Sequence, residues 1–232
     1  MSFQKIGIIG AMAEEIELLH KHADVASETT KAGITYYEGK LHGRSVLFCK
    51  SGVGKVNAAV CTQILLDMGA DCVLFTGVAG ALDPRLNIGD IVISTSCIQH
   101  DMDCSPLGYA RGVIPYHSRS EFIADERLVE LAAAASDRLF PGRSLKGKVL
   151  SGDQFIASRE TVSLLHETLQ GACAEMEGAS VAQVCDMNDI PFVVIRSMSD
   201  KADGSAHASF AEFTIEASNN SYSIIADIVE HI

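Results

Sequence analysis

Short apolar runs alternate along this chain with longer stretches whose apolar residues recur at helical spacing, and that alternation restricts the fold more than any other feature. KIGIIG (Lys5–Gly10) is followed at once by AMAEEIELLHKH, where Ile16 and Leu19 fall at helical spacing. Tyr36–Lys40 and Ser45–Lys50 read as strands around a turn at His42–Gly43. Val53–Met68 reads as a helix with Val56, Val60 and Ile64 on one face, stopped by Gly69. Cys72–Phe75 and Ile91–Ser94 are β-rich apolar runs of the kind a buried parallel sheet uses. The second half repeats the pattern. Helices are expected over Glu126–Leu139, Glu160–Leu169, Gly178–Met187 and from about Ala208 to Val229; strands are expected at Lys148–Leu150, Ala172–Met176 and PFVVIRSMSD. With no Pro/Gly/Ser-rich linker, this predicts one α/β domain over residues 1–232 around a largely parallel sheet. Residues 96–120 break the pattern with turn residues and little periodicity, as functional or interface segments do.

Composition narrows the function. Thirty acidic residues against eighteen basic ones give a net charge of −12, which repels phosphate backbones and argues against nucleic-acid binding. A hydrophobic share of 47% with only 21% charged residues excludes a disordered chain. The seven cysteines are odd in number, form no CxxC pair and lie partly inside apolar runs. Reduced thiols of a cytoplasmic protein fit that pattern better than a disulfide framework or a zinc site. No basic start precedes a long apolar stretch, and no apolar run approaches the roughly 18 residues of a membrane span.

Several motifs suggest chemistries that their details contradict. Gly7-Ile-Ile-Gly10 follows a strand, but the first glycine of a dinucleotide fingerprint is replaced by Lys5, and two glutamates open the helix where a pyrophosphate needs positive potential. Ser51-Gly-Val-Gly-Lys55 resembles the tail of a P-loop. Cys49 stands where its first glycine should be and Val56 replaces the hydroxyl that would hold magnesium, so it reads as a tight turn into a helix. His100-Asp-Met-Asp103 lacks a second ligand cluster, and no metal is expected. No G-x-S-x-G elbow supports serine catalysis.

Acidic residues stand out at three places, each after an apolar strand: Glu15 after KIGIIG, Glu175 and Glu177 around Met176, and Asp200 at the end of PFVVIRSMSD. Ligands of open α/β sheets bind beyond the carboxyl ends of strands, so Glu15, Glu177 and Asp200 are expected to converge there. Acids near helix starts also stabilise the helix dipole, by a few tenths to ~1 kcal/mol. Convergent carboxyls can bridge sugar hydroxyls, orient water and protonate a leaving group, the operations that breaking a sugar–heteroatom bond requires.

GIIGAMAEEIELL, KSGVGKVNAA, FTGVAGAL, LNIGDIVIS, SGDQFI, AEMEGASVAQVC and PFVVIRSMSD occur in the order found in bacterial 5'-methylthioadenosine/S-adenosylhomocysteine nucleosidases, which the chain resembles over almost its whole length. The resemblance implies a single nucleoside phosphorylase-like α/β domain, with a twisted, mixed, barrel-like central sheet flanked by helices, and a homodimer. It implies hydrolysis of methylthioadenosine, S-adenosylhomocysteine and 5'-deoxyadenosine to adenine and a 5-substituted ribose, in methionine salvage and methyl-cycle by-product removal. It implies no cofactor, because water is the only second substrate, and neither nucleic acid nor a membrane is expected as a partner.

By the same resemblance Asp200 is the general acid at adenine N7, with Ser199 fixing its carboxyl. Glu15 activates the water, backed by Arg196, and Glu177 grips the ribose hydroxyls. Glu175 and Gly80 belong to the substrate site; Met176 and Met12 pack against the sugar. Phe155 stacks on adenine, the Ile156 backbone reads the base edge and Phe210 lines the 5'-alkylthio pocket. Leu107 and Pro115 of the neighbouring subunit complete that pocket. Val78 stands where many relatives carry Ser and is left out of the site.

Two other functions compete. A sister phosphorylase would attack with phosphate, but Glu14 and Glu15 disfavour that anion, and Gly89 stands where hexameric phosphorylases have Arg. A non-catalytic nucleoside binder would need Phe155 but not all three carboxyls.

Overall fold

The computed structural model describes residues 3–202 and 206–232. Strands β1 (Ile6–Gly10), β2 (Asp24–Lys31), β3 (Ile34–Leu41), β4 (Arg44–Lys50), β5 (Cys72–Ala81), β6 (Ile91–Gln99), β7 (Glu121–Ile123), β8 (Ser144–Ser151), β9 (Gly171–Glu175) and β10 (Phe192–Asp200) form one sheet. Helices α1 (Ala13–His22), α2 (Lys55–Asp67), α3 (Glu126–Leu139), α4 (Arg159–Leu169), α5 (Gly178–Met187) and α6 (Ala206–His231) cover it.

The sheet closes on itself. β5 pairs with β10, β10 with β6, β6 with β8, β8 with β9, and β9 returns to β5, giving a five-stranded barrel. From β5 the sheet continues outward through β1, β4, β3 and β2. Ladders run antiparallel as often as parallel, so the expected largely parallel sheet is corrected to a mixed one. The barrel-like form that the resemblance implied is present. Alternation detects strands but carries no direction, and the reversals at β6, β9 and β10 leave no mark in it.

Two strands lie outside the expected set. β2 is exposed along its whole length and pairs only with β3, so DVASETTK has no buried face to pattern. β7 is three residues long and adds to the rim of β6. The strands β5 and β6 also run past the expected ends, through TGVAGA and TSCIQ. All of TGVAGA is buried, and so is all of TSCIQ except Thr95. The His42–Gly43 turn forms as read, both residues having positive φ, as a two-residue hairpin joining β3 to β4 requires.

Helix α2 corrects one face assignment. Ala58, Cys61, Thr62 and Leu65 face the core, while Val56 is 74% exposed and Val60 is 41% exposed. Helix α6 packs along β10 and β5. The Ser221 hydroxyl, fully buried there, donates to Ile195 O and accepts from the Gly77 amide and Thr76 Oγ1. All seven cysteines are thiols, six of them buried. No helix among the described residues is long and apolar enough to cross a membrane.

Because Ser221 satisfies three groups at once, replacing it leaves buried donors and acceptors unpaired. Ser221→Ala is expected to lower the unfolding free energy by about 1–3 kcal/mol in urea titrations. Ser223→Ala, whose hydroxyl only bonds back to Asn219 O on the same helix, should change it by less than about 0.5 kcal/mol.

Candidate active site

The carboxyl ends of β1, β5, β9 and β10 meet around a cavity of about 230 Å³. The turn after β1 brings Ala11, Met12 and Glu15; β5 brings Val78, Ala79 and Gly80. The end of β9 and the segment beyond it bring Ala174, Glu175, Met176 and Glu177, and β10 brings Ser199 and Asp200. Val53, Gln154, Phe155, Ile156 and Phe210 complete the wall. Leu107 and Pro115 lie away from it. Leu107 sits in a short 3-10 turn and is 70% exposed, and Pro115 is half-buried.

Glu15 is 4% exposed and reaches back over the start of its own helix. Its Oε2 accepts the amides of Ala11 at 2.6 Å and Met12 at 3.0 Å, and its Oε1 accepts the amide of Val78 at 3.0 Å. Burial raises its pKa above the ordinary carboxylate value, against the pull of Arg196 and these amides. A Cβ on Gly77 would fall 2.5 Å from Glu15 Oε1 and 2.7 Å from Arg196 Nη1, so the bare backbone lets both groups approach.

Asp200 owes its aim to an irregular register. Ser197 and Met198 pair with Val78 and Ala79, but Asp200 pairs with Gly80, leaving Ser199 as an extra residue. Successive side chains of a regular strand point to opposite faces. This bulge lets Ser199 and Asp200 both border the cavity. Asp200 Oδ2 accepts the Ser199 hydroxyl at 2.9 Å and Oδ1 accepts the Ala202 amide at 2.7 Å. A Cβ on Gly80 would come within 2.8 Å of that Oδ1.

Glu177 begins α5, and its Oε1 accepts the Gly54 amide at 2.7 Å. Burial and the neighbouring Glu175 push its pKa up to about 8, with Arg196 opposing. Glu175 borders the cavity, but its oxygens are committed elsewhere. They take the Arg196 guanidinium at 2.5 Å, the Gly178 amide at 3.0 and 2.8 Å, and the Ser151 hydroxyl. In this structure Glu175 anchors Arg196 and the start of α5. Arg196 lies 4.0 Å above the Phe75 ring. Burial works against its charge, yet Glu175, Glu15 and Glu177 together raise its pKa.

On the opposite wall Phe155 and Phe210 meet edge to face at 5.7 Å. Phe155 is 50% exposed, so the aromatic pair guards the mouth rather than the core. Three contributions had no signal in the sequence: the Val78 amide, the Gly54 amide and Gln154. Val78 lacks a hydroxyl, yet its backbone N–H holds Glu15 and its side chain lines the cavity.

The phosphorylase superfamily model matches residues 5–230. A 5'-methylthioadenosine/S-adenosylhomocysteine nucleosidase of Tolumonas auensis is 39% identical over 230 residues, covering 98% of this chain and all of the relative. The chain belongs to this nucleosidase family. It is an N-glycosyl hydrolase. Among solved structures, a Neisseria meningitidis nucleosidase of the same name, in complex with methylthio-immucillin-A, superposes with a TM-score of 0.94 at 38% identity, covering 99% of this chain and 100% of that one. A futalosine hydrolase of Helicobacter pylori superposes with a TM-score of 0.93 at 35% identity, covering 99% and 98%.

The raised pKa of Glu177 carries a cost to stability. Between its unfolded value of 4.5 and about 8, the folded nucleosidase binds the extra proton, so stability falls as pH rises through that window. Glu177→Gln removes the titration. Relative to wild type, its unfolding free energy should improve from about pH 5 to about pH 8.5 by on the order of a few kcal/mol, read by urea unfolding at both values. A parallel change in the two proteins would refute this.

Proposed function

We propose that this nucleosidase hydrolyses the N-ribosidic bond of 5'-methylthioadenosine and S-adenosylhomocysteine, and also of 5'-deoxyadenosine. The products are adenine and the 5-substituted ribose. The observation that carries this reading is the convergence of Glu15, Glu177 and Asp200 on one cavity with an apolar, aromatic far wall. The names of its relatives supply the substrate class.

The adenine ring stacks on Phe155, its edge faces the Ile156 backbone, and Asp200 protonates N7 as the base departs. Ser199 and the Ala202 amide hold that carboxyl still, and a fixed donor at the leaving group needs no reorganisation during bond cleavage. Burial and Glu175 favour the protonated form of Glu177, and in that form it can both give and take a hydrogen bond with the ribose hydroxyls. Met12 and Met176 pack against the sugar, and Phe210 bounds the 5' substituent.

Glu15 takes the proton of the attacking water. Its three amide contacts leave a lone pair on Oε1 for that water. Burial makes it a stronger base than an exposed carboxylate. Phosphate is the wrong nucleophile here, since a dianion would face the Glu15 carboxylate in a weakly screened pocket. No cofactor enters the reaction.

The working form is a homodimer. Val53 borders the cavity and is 49% exposed, and beyond it Val56 and Val60 continue as exposed apolar surface on α2. A second copy seated on that surface would close the mouth, with the partner's Leu107 and the partner's Pro115 against the 5' substituent. The buried thiols suit a reducing cytoplasm, where the reaction would serve methionine salvage and methyl-cycle by-product removal. A second reading, an adenine nucleoside with a bulkier 5' group, is favoured by the likeness to the futalosine hydrolase.

In phosphate-free buffer the enzyme is expected to release adenine and free methylthioribose from methylthioadenosine, at a rate unchanged by added phosphate. Dependence on phosphate, or formation of the sugar 1-phosphate, would overturn the reading. Asp200→Asn should lose at least about 100-fold in kcat with an unchanged melting temperature, as removal of a general acid does. Competition with a futalosine-type nucleoside decides between the two 5' groups.

A further inference from the structure

Two motifs that carry neither phosphate nor metal chemistry meet beside the cavity. Lys55, from the turn that resembles a P-loop tail, donates from Nζ to Asp101 Oδ1 at 2.7 Å and to Gln99 Oε1 at 3.0 Å. Asp101, from the His100-Asp-Met-Asp103 stretch, accepts the Asp153 amide on Oδ2 at 3.0 Å. Asp153 Oδ1 in turn accepts the Lys55 amide at 2.8 Å. The three residues form a closed ring of hydrogen bonds, and the Lys55–Asp101 pair is largely buried, with side-chain exposures of 18% and 14%.

The ring joins two loops that both reach the cavity. One ends in Gly54, whose amide holds Glu177, and the other runs through Asp153 into Phe155 and Ile156. We propose that Lys55 and Asp101 are positioning residues, which clamp the loop behind the sugar-binding carboxyl to the loop that receives the base. Neither touches the cavity. Asp101 can serve both loops because a carboxylate offers two acceptor oxygens, and an amide in its place offers one. The hydrogen bonds from Lys55 and from the Asp153 amide hold Asp101 ionised despite its burial, which by itself pushes the carboxyl up.

The catalytic acid on β10 and Glu15 on α1 lie outside the ring, so loosening it costs binding more than chemistry. In its kinetic part this inference rests on the hydrolase reading; in its structural part it does not. The test compares Lys55→Met, Asp101→Asn and the double variant with wild type. By hydrogen exchange, peptides spanning 51–57 and 151–157 should both exchange at least about tenfold faster in each variant, while 192–200 stays unchanged. KM for methylthioadenosine should rise about tenfold with kcat within about threefold, and the double variant should be no worse than the poorer single one.

Lys55→Arg, which keeps the charge and the donors, should restore KM to near the wild-type value. If Asp101→Asn fails to fold, the two Lys55 variants decide. Faster exchange confined to the loop that carries the substitution would overturn the clamp. So would multiplying KM effects in the double variant, or a kcat loss as large as that in kcat/KM. A wild-type protein that releases no adenine would sink the hydrolase reading alone and leave the exchange result to judge the clamp.

Discussion

The site depends on one fully buried ion pair, that of Arg196 with Glu175. A guanidinium 1% exposed in the middle of a sheet is tolerable only if its charge is met, and Glu175 meets it at 2.5 Å. Holding Glu175 there has consequences along the chain. Its oxygens also take the Gly178 amide, and its Ser151 partner takes the Ala179 amide, so the same group that neutralises Arg196 fixes the start of α5. Glu177 stands at that helix start, freed from capping its own helix and turned toward Gly54. Arg196 in turn makes negative charge cheaper at Glu15 and Glu177. The cavity can therefore hold several carboxyls close together, which in a weakly polar site would otherwise expel one another's charge.

Barrel closure explains why these groups meet at one place. β5 is long enough to pair with β1 along its first four residues, with β10 from Val73 to Gly80 and with β9 at its last two residues. The carboxyl ends of β1, β5 and β10 therefore open on the same side, and the end of β9 crosses them there. The bulge at Ser199 then rotates the last residue of β10 inward. A regular β10 would send Ser199 and Asp200 to opposite faces, and one of the pair that now hydrogen-bonds beside the cavity would be lost to it.

Much of this was legible in the sequence, and the boundary of legibility is physical. Buried strands and amphipathic helices announce themselves through periodicity, so helix α3 and helix α5 fall where the pattern puts them. The convergence of Glu15, Glu177 and Asp200 followed from their places after apolar runs, and the family likeness gave them roles. Strand direction, the exposed β2 and the short β7 left no periodic trace. Nor did the difference between Glu175 and Glu177, two glutamates separated by one residue. One is consumed by an arginine 21 residues further on and the other is left facing the cavity, a distinction set by tertiary contacts. Val78 shows the same limit from the other side: its contribution is an amide, which every residue except proline possesses, so no side-chain pattern could single it out.

The exposed face of α2 is informative because the periodicity there is real and points the wrong way for a lone chain. Val56 and Val60 recur at helical spacing, yet they face outward, while Ala58, Cys61, Thr62 and Leu65 face the core. These exposed valines are the surface on which the proposed second copy would sit. Because this face continues into Val53 at the cavity wall, covering it would also shield the mouth beside the half-exposed Phe155. Water would then reach Glu15 only through the site itself, and the electrostatic contrast among the buried carboxyls would deepen as the surroundings dried.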